Sequence, residues 1–253
     1  MRRDCDRARL SPALRELFVP LAPDPEAEAF GSRAGHGAFR GALRGVLRRV
    51  RSDFDADGLL GTHPMFLFGE AGARELVGPY AGGRLLDVGA GSGDVTQSLR
   101  PLFREVVATE LSTPCARRLR GRKIRCHRVD LARAPLPEPG PFDVVTLLNV
   151  LDRCDRPRSL LRAARALASR ALLISVPWPV RAHVDVGGAT VDPDEPLCGR
   201  GASWEQALND LAPALAIEGT RIARIARAPY LSRGAGASLV ALDAALVVLA
   251  IDR

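Results

Sequence analysis

Lysine is almost absent from this chain. Lys123 is the only one among 253 residues, so arginine carries nearly all of the positive charge. A net charge of +7 and a pI of about 9.9 invite a nucleic-acid partner. The arginines, however, accompany abundant Ala, Gly and Pro, the bias of a GC-rich coding sequence. They are also spread along the chain, densest at residues 40–51 and 117–128. At helical spacing such runs read as solvated faces, and no nucleic acid is expected as a partner. The five cysteines (Cys5, Cys115, Cys126, Cys154, Cys198) contain no C-x-x-C, and the four histidines (His36, His63, His127, His183) no His-x-x-x-His. That argues against a metal site and for free thiols in a reducing compartment. The longest apolar run, residues 239–251, is too short to span a bilayer and carries Asp243. Arg2, Arg3, Asp4 and Asp6 have no apolar core behind them, so no signal peptide is expected. These absences leave a soluble, intracellular protein without a transmembrane segment.

What is present is concentrated at residues 84–93, Arg-Leu-Leu-Asp-Val-Gly-Ala-Gly-Ser-Gly. Leu85, Leu86 and Val88 read as a buried parallel strand that ends in Gly89, Gly91 and Gly93 and leads into a helix. Glycines there let the backbone turn sharply and let a ligand come close. A second strand, 106–109, ends in Glu110, which lies 21 residues beyond Gly89, where a carboxylate can hold a ribose. The spacing is G-x-G-x-G rather than the dinucleotide G-x-G-x-x-G. Asp87 and Asp94 flank it, and both would repel a pyrophosphate. They suit a ligand that is cationic there, such as S-adenosylmethionine with its ammonium and sulfonium. The D-x-G-x-G-x-G string resembles motif I of the class I methyltransferases.

From residue 83 onward strands and helices alternate, which predicts an α/β fold with a mostly parallel sheet. Strands are expected at 84–88, 106–109, 124–129, 142–148, 171–176, 217–226 and 242–251, and helices at 94–101, 113–120, 157–168 and 203–214. Seven strands is the class I methyltransferase (Rossmann-like) count, and the last two should form an antiparallel hairpin. Residues 1–75 read as an N-terminal helical cap, and residues 76–253 as the methyltransferase domain. In the cap, residues 10–21 and 27–50 have helical spacing, with Phe39, Leu43, Val46, Leu47 and Val50 on one face. His63 to Phe68 reads as an apolar lead into a helix at 70–77.

Ligands of such a sheet sit beyond the carboxyl ends of the strands. Asp130 follows the third strand there, as an acceptor for an adenine amino group or as a plain loop carboxylate. Asn149 and Asp152 follow the fourth, three apart on one turn, unless Asp152 or Asp155 merely caps the next helix. No [DN]-P-P-[FYW], the motif of many nucleic-acid amino-methylating enzymes, is present. The string Leu148-Asn149-Val150-Leu151-Asp152-Arg153-Cys154-Asp155-Arg156-Pro157 resembles the signature of the DREV methyltransferases, the protein-histidine pros-methyltransferases. Residues 108–112 (Ala-Thr-Glu-Leu-Ser), 186–188 (Val-Gly-Gly), Trp204-Glu205, Pro229-Tyr230-Leu231 and Leu242-Asp243 are similar to the same family. The chain differs from the family's text at residues 128–140 and 232–238.

The resemblance implies methyl transfer from S-adenosyl-L-methionine to a histidine ring nitrogen in His-x-His motifs of substrate proteins; a monomer is expected. An association with the endoplasmic reticulum or mitochondrion also follows from it. It assigns Asp152, Asn149 and Tyr230 to the acceptor. The glycine loop and the strand ends make Asp87, Gly89, Gly91, Gly93, Glu110, Leu111, Asp130 and Asn149 the expected cofactor residues. The chemistry agrees. A neutral imidazole, with a pKa of about 6.5, is already nucleophilic near neutral pH and needs placement and a fixed tautomer more than a base. A carboxylate on the tele N–H supplies both, and Asp152 is the candidate. Tyr230 completes the clamp or is a buried structural tyrosine. The rival readings are methylation of RNA or of a small molecule, and a catalytically silent binding module.

Overall fold

The computed structural model describes residues 3–32, 38–47, 52–186, 189–195, 197, 199, 201–233 and 239–252. His36, Val50, Gly187, Gly188, Cys198, the side chain of Phe39 and the tip of the last hairpin lie outside the described residues. Among the described residues a short 3-10 turn at Arg7–Arg9 is followed by helices α1 (Pro12–Arg15), α2 (Pro25–Ser32), α3 (Ala38–Leu47) and α4 (Asp53–Leu60), then β1 (Met65–Phe66) and α5 (Glu70–Val77). Next come β2 (Arg84–Val88), α6 (Thr96–Leu99), β3 (Glu105–Thr109), α7 (Thr113–Gly121), β4 (Arg125–His127), β5 (Phe142–Leu148), α8 (Pro157–Leu167) and β6 (Ala168–Trp178). A small hairpin of β7 (Val184–Val186) and β8 (Ala189–Val191) precedes α9 (Trp204–Leu215), β9 (Thr220–Arg233) and β10 (Leu239–Ile251).

Capping chemistry sets several boundaries. Ser52 accepts the Asp55 N–H to start α4, which stops at Gly61 in the left-handed conformation, φ 63°. Ser112 and Ser203 cap α7 and α9 in the same way, and Pro157 opens α8, where a missing N–H costs nothing. Leu160, Leu161 and Ala164 form the buried face of α8.

The main sheet runs β1-β9-β10-β6-β5-β2-β3-β4. Strands β2 to β6 pair in parallel, and β10 lies antiparallel between β6 and β9. Central strands covered on both faces must be apolar throughout, and Leu85, Leu86, Val144, Val145, Leu172, Leu173 and Ile174 are fully buried. The sheet has eight strands rather than the expected seven. The extra one is β1, two residues paired with β9 through Met65↔Ser232 and Phe66↔Leu231. β9 also continues beyond residue 226, through Pro229. A proline is tolerated there because β1 flanks β9 only at Leu231 and Ser232.

The expected helix over residues 10–21 is only one turn, α1. The residue before Pro20 is pushed to extended backbone. Accordingly Val19 N–H donates to Ile225 O and Ile225 N–H to Leu17 O, both at 2.9 Å. Phe18 thereby enters the core and meets Trp204 edge-on, with centroids 6.2 Å apart. One face of the sheet carries Phe18, α8 and α9; the other carries Leu67, Phe68, α5 and α6. Among the described residues no helix is long and apolar enough to cross a membrane.

Candidate active site

The chain leaves β2 toward β3 on one side and returns through β5 on the other, so a crevice forms at the carboxyl ends of these strands. Gly89, Gly91 and Gly93 turn there with φ of 67°, 56° and 79°. A Cβ on Gly91 would meet nothing nearer than Met65 Cε at 3.8 Å, so the loop is open at that point. Glu110, at the end of β3, ties this loop to its own. Its Oε2 accepts the Gly91 N–H at 2.8 Å and its Oε1 the Ser112 N–H at 2.7 Å. Burial raises its pKa, against the pull of these backbone donors. Leu111 beside it is 56% exposed, an apolar surface next to the carboxylate.

Asp87 is buried under the loop rather than on its open side. Its oxygens accept the hydroxyls of Thr96 (2.6 Å) and Thr146 (2.7 Å), which ties β2 to α6 and β5. Burial pushes it up to about 6. Asp94 pairs with Arg122 at 2.6 Å and takes the Met65 N–H at 3.4 Å. Neither carboxylate therefore presents the bare charge that the sequence suggests. Asp130 is bound into its own turn through the Ala132 N–H and pairs with Arg133 at 3.3 Å. Among the described residues it shares no hydrogen bond with the rest of the site.

Asn149 follows β5 in the left-handed region, φ 55°, which asparagine tolerates better than most residues. Ser175 on β6 holds it there. The Asn149 N–H donates to Ser175 Oγ at 3.0 Å, and that hydroxyl donates to Asn149 Oδ1 at 2.7 Å. Asn149 Nδ2 is buried with no partner among the described residues. Asp152 is 2% exposed; Arg153 Nη1 lies 3.5 Å from its Oδ2, and its Oδ1 is buried with no partner among the described residues. Burial pushes it up to about 6, against the Arg153 charge. Tyr230 lies within β9, opposite Leu242, rather than after the strand as expected. Its hydroxyl donates to Met65 Sδ at 3.4 Å. Burial raises its pKa, and so does the Asp152 carboxylate, whose field reaches it.

Met65, Ser175, Thr146 and Thr96 are additions to the expected set. A hydroxyl in the apolar strands at Ser175 and Thr146 was a visible signal; nothing in the text around Met65 was.

A doubly wound sheet with an antiparallel strand beside its edge, a glycine loop after the first central strand and a carboxylate after the next define a class I methyltransferase, whose cofactor is S-adenosyl-L-methionine. The DREV methyltransferase family model matches residues 4–251, and the chain belongs to that family. It is 31% identical over 101 residues to the ubiquinone biosynthesis O-methyltransferase of Bordetella parapertussis (strain 12822), a match covering 38% of this chain and 42% of that protein. The chain thus spans less than half the length of the curated relatives it matches. A structure solved for the conversion of a disulfide bond into a thioacetal group during echinomycin biosynthesis superposes with a TM-score of 0.52 at 20% identity. It covers 71% of this chain and 80% of that one, and shows a shared fold. The N-methyltransferase NodS of Bradyrhizobium japonicum WM9, solved with S-adenosyl-L-homocysteine, gives 0.46 at 14% identity over 71% and 83%.

Proposed function

We propose that this chain transfers a methyl group to the pros nitrogen of histidine in His-x-His segments of proteins, with Asp152, Asn149 and Tyr230 serving the acceptor. The observation that supports this reading most is the end of β5. There an acceptor, Asp152 Oδ1, and a donor, Asn149 Nδ2, are both buried without partners among the described residues, one turn apart. Leaving such atoms unpaired costs free energy, and they mark a place for a polar ring.

The glycine loop, Glu110 and Leu111 suit a nucleoside, with Asp130 as a further contact in this reading. S-adenosylmethionine supplies an electrophilic methyl when bound. Asp152 accepts the tele N–H of a neutral imidazole, which fixes the tautomer and leaves the pros lone pair free. As the pros nitrogen gains its methyl, the ring becomes a cation that the carboxylate stabilises. The ring then sheds the tele proton to solvent. Asn149 Nδ2 is left to orient an oxygen beside the ring, and residues 1–75 cap the site.

The local similarity to ubiquinone O-methyltransferases favours a phenolic acceptor as the second reading. Such an acceptor asks more of the site, since a phenol with a pKa of about 10 must lose its proton. The test is incubation with S-adenosylmethionine and a His-x-His peptide, followed by mass spectrometry. One methyl on the pros nitrogen is expected. An unmodified peptide alongside a methylated catechol would overturn the reading in favour of the second.

A further inference from the structure

Tyr230 is held by its neighbours in an informative way. It has one hydroxyl proton, and that proton is donated to a thioether, Met65 Sδ at 3.4 Å. Against the effect of burial, Ser232, two residues further along β9, lowers the tyrosine's pKa. Ser232 is the register partner of Met65 across the β1–β9 pair. A thioether is among the weakest acceptors a protein offers, so any imidazole nitrogen or carbonyl that came within reach would take the proton instead.

Met65 has a second contact, with the glycine loop. Its methyl group lies 3.8 Å from where a Cβ on Gly91 would stand, and its N–H donates to Asp94 at 3.4 Å, just beyond the loop. Gly91 is the glycine whose N–H binds Glu110. One flexible side chain therefore borders the open space over the loop that suits a nucleoside and bonds the tyrosine that feels the Asp152 carboxylate. Methionine fits such a post, because its unbranched side chain repacks at low cost.

We infer that Met65 is a positioning residue that holds the Tyr230 hydroxyl at the edge of the open space beside Gly91, and that cofactor seating at the loop moves its thioether and releases Tyr230 to the acceptor. The inference rests on the reading of the glycine loop and β5 end given above. It explains how a cofactor-loaded enzyme would take the acceptor in preference to the bare one. By linkage, the acceptor would strengthen cofactor binding by the same factor.

The chain has two tyrosines, Tyr80 and Tyr230, so a protein labelled at tyrosine Cζ gives two resonances, and Tyr230→Phe assigns them. S-adenosylhomocysteine should shift the Tyr230 resonance in the wild type. In Met65→Leu, which keeps the bulk and loses the sulfur, that resonance should already be displaced without ligand and should respond less to it. Binding of a His-x-His peptide to the cofactor-free variant should tighten roughly three- to tenfold, since no hydrogen bond to sulfur need break, while single-turnover transfer from the loaded variant should match the wild type. Cofactor affinity by calorimetry should stay within about twofold, which also reports that the variant is folded. A wild-type Tyr230 resonance that ignores S-adenosylhomocysteine, or the same response in Met65→Leu, overturns the inference. A responsive Tyr230 in an enzyme that leaves the peptide unmethylated leaves the coupling standing and removes the histidine reading instead.

Discussion

Asp152 and Asp87 are both carboxylates at the carboxyl end of a central strand, both buried, and both pushed up to about 6 by burial. They differ in their partners, and so in what a change to asparagine should do. Asp152 has an oxygen without a partner among the described residues. Asp152→Asn should lower single-turnover methyl transfer to a His-x-His peptide roughly 10²-fold or more, through loss of tautomer control and of charge against the imidazolium. Cofactor affinity should barely change. A wild-type rate in the variant would remove Asp152 from the acceptor. The wild-type rate should also climb with pH through about 6 to 6.5 and flatten above, because the carboxylate must be ionised and the acceptor imidazole neutral. The two apparent values belong to the pair. Asp87, by contrast, has both oxygens satisfied by Thr96 and Thr146. Its folded pKa lies above the unfolded value of 3.8, so the stability linked to its protonation is present below 3.8 and lost as pH rises through about 6. Asp87→Asn escapes that loss, and the threonine hydroxyls can turn to suit the amide. Relative to wild type the variant should therefore gain about 2 kcal/mol between pH 4 and pH 7, measured by urea unfolding at each pH. An unchanged gap would mean that Asp87 stays solvated. The presence of both residues was legible in the sequence. Which of them faces a ligand was not, because Thr96 and Thr146 lie 9 and 59 residues from Asp87 and only the fold brings them to it.

The element scale was the more legible one for the parallel half of the sheet. The strands expected at 84–88 and 142–148 match β2 and β5 residue for residue, since strands buried on both faces announce themselves as unbroken apolar runs. The edges were harder to read. Residues 10–21 have helical spacing, yet Pro20 and the open flank of β9 turn Leu17 to Val19 into an extended strip, and tertiary pairing overrides local period. β1 is two residues long and has no period to detect. The glycine loop is where element geometry meets function. A Cβ on Gly89 would stand 2.6 Å from Val150 Cγ2, but one on Gly91 has room. Gly91→Ala should therefore fold with a loss of only about 1–2 kcal/mol, the strain of a left-handed alanine. It should nonetheless weaken S-adenosylhomocysteine binding in calorimetry by more than tenfold, because the added methyl projects into the crevice. Glu110→Ala should weaken it as well. Undiminished binding in both would move the cofactor elsewhere.

At the scale of the whole molecule the question is what fastens the N-terminal strip to the sheet, and one buried cation stands at the junction. Arg227 on β9 is 4% exposed, stacks 5.1 Å from the Trp204 ring, and bonds to Asp243 on β10. It also reaches Glu205 on α9 at 3.5 Å and the Asp4 carbonyl at 3.4 Å, while Glu205 accepts the Asp6 N–H at 3.2 Å. One guanidinium thus links the hairpin, the last helix and the first residues of the chain. Buried ion networks of this kind contribute little net stability when intact, because desolvation offsets the attraction, but removing one member strands its partners. Arg227→Met leaves two carboxylates without their cation and should cost about 3–5 kcal/mol in urea unfolding. Combining it with Glu205→Gln and Asp243→Asn removes the stranded charges and should restore most of that loss. Hydrogen exchange should locate the effect. In Arg227→Met the amides of Asp6 and Val19 should lose protection well before those of β2 and β5, since the strip is held to the sheet by few bonds and the central strands by many. Equal loss across the chain, or no recovery in the triple variant, would mean that the network is not the fastening and that packing of Phe18 on Trp204 alone holds the N-terminal strip in place.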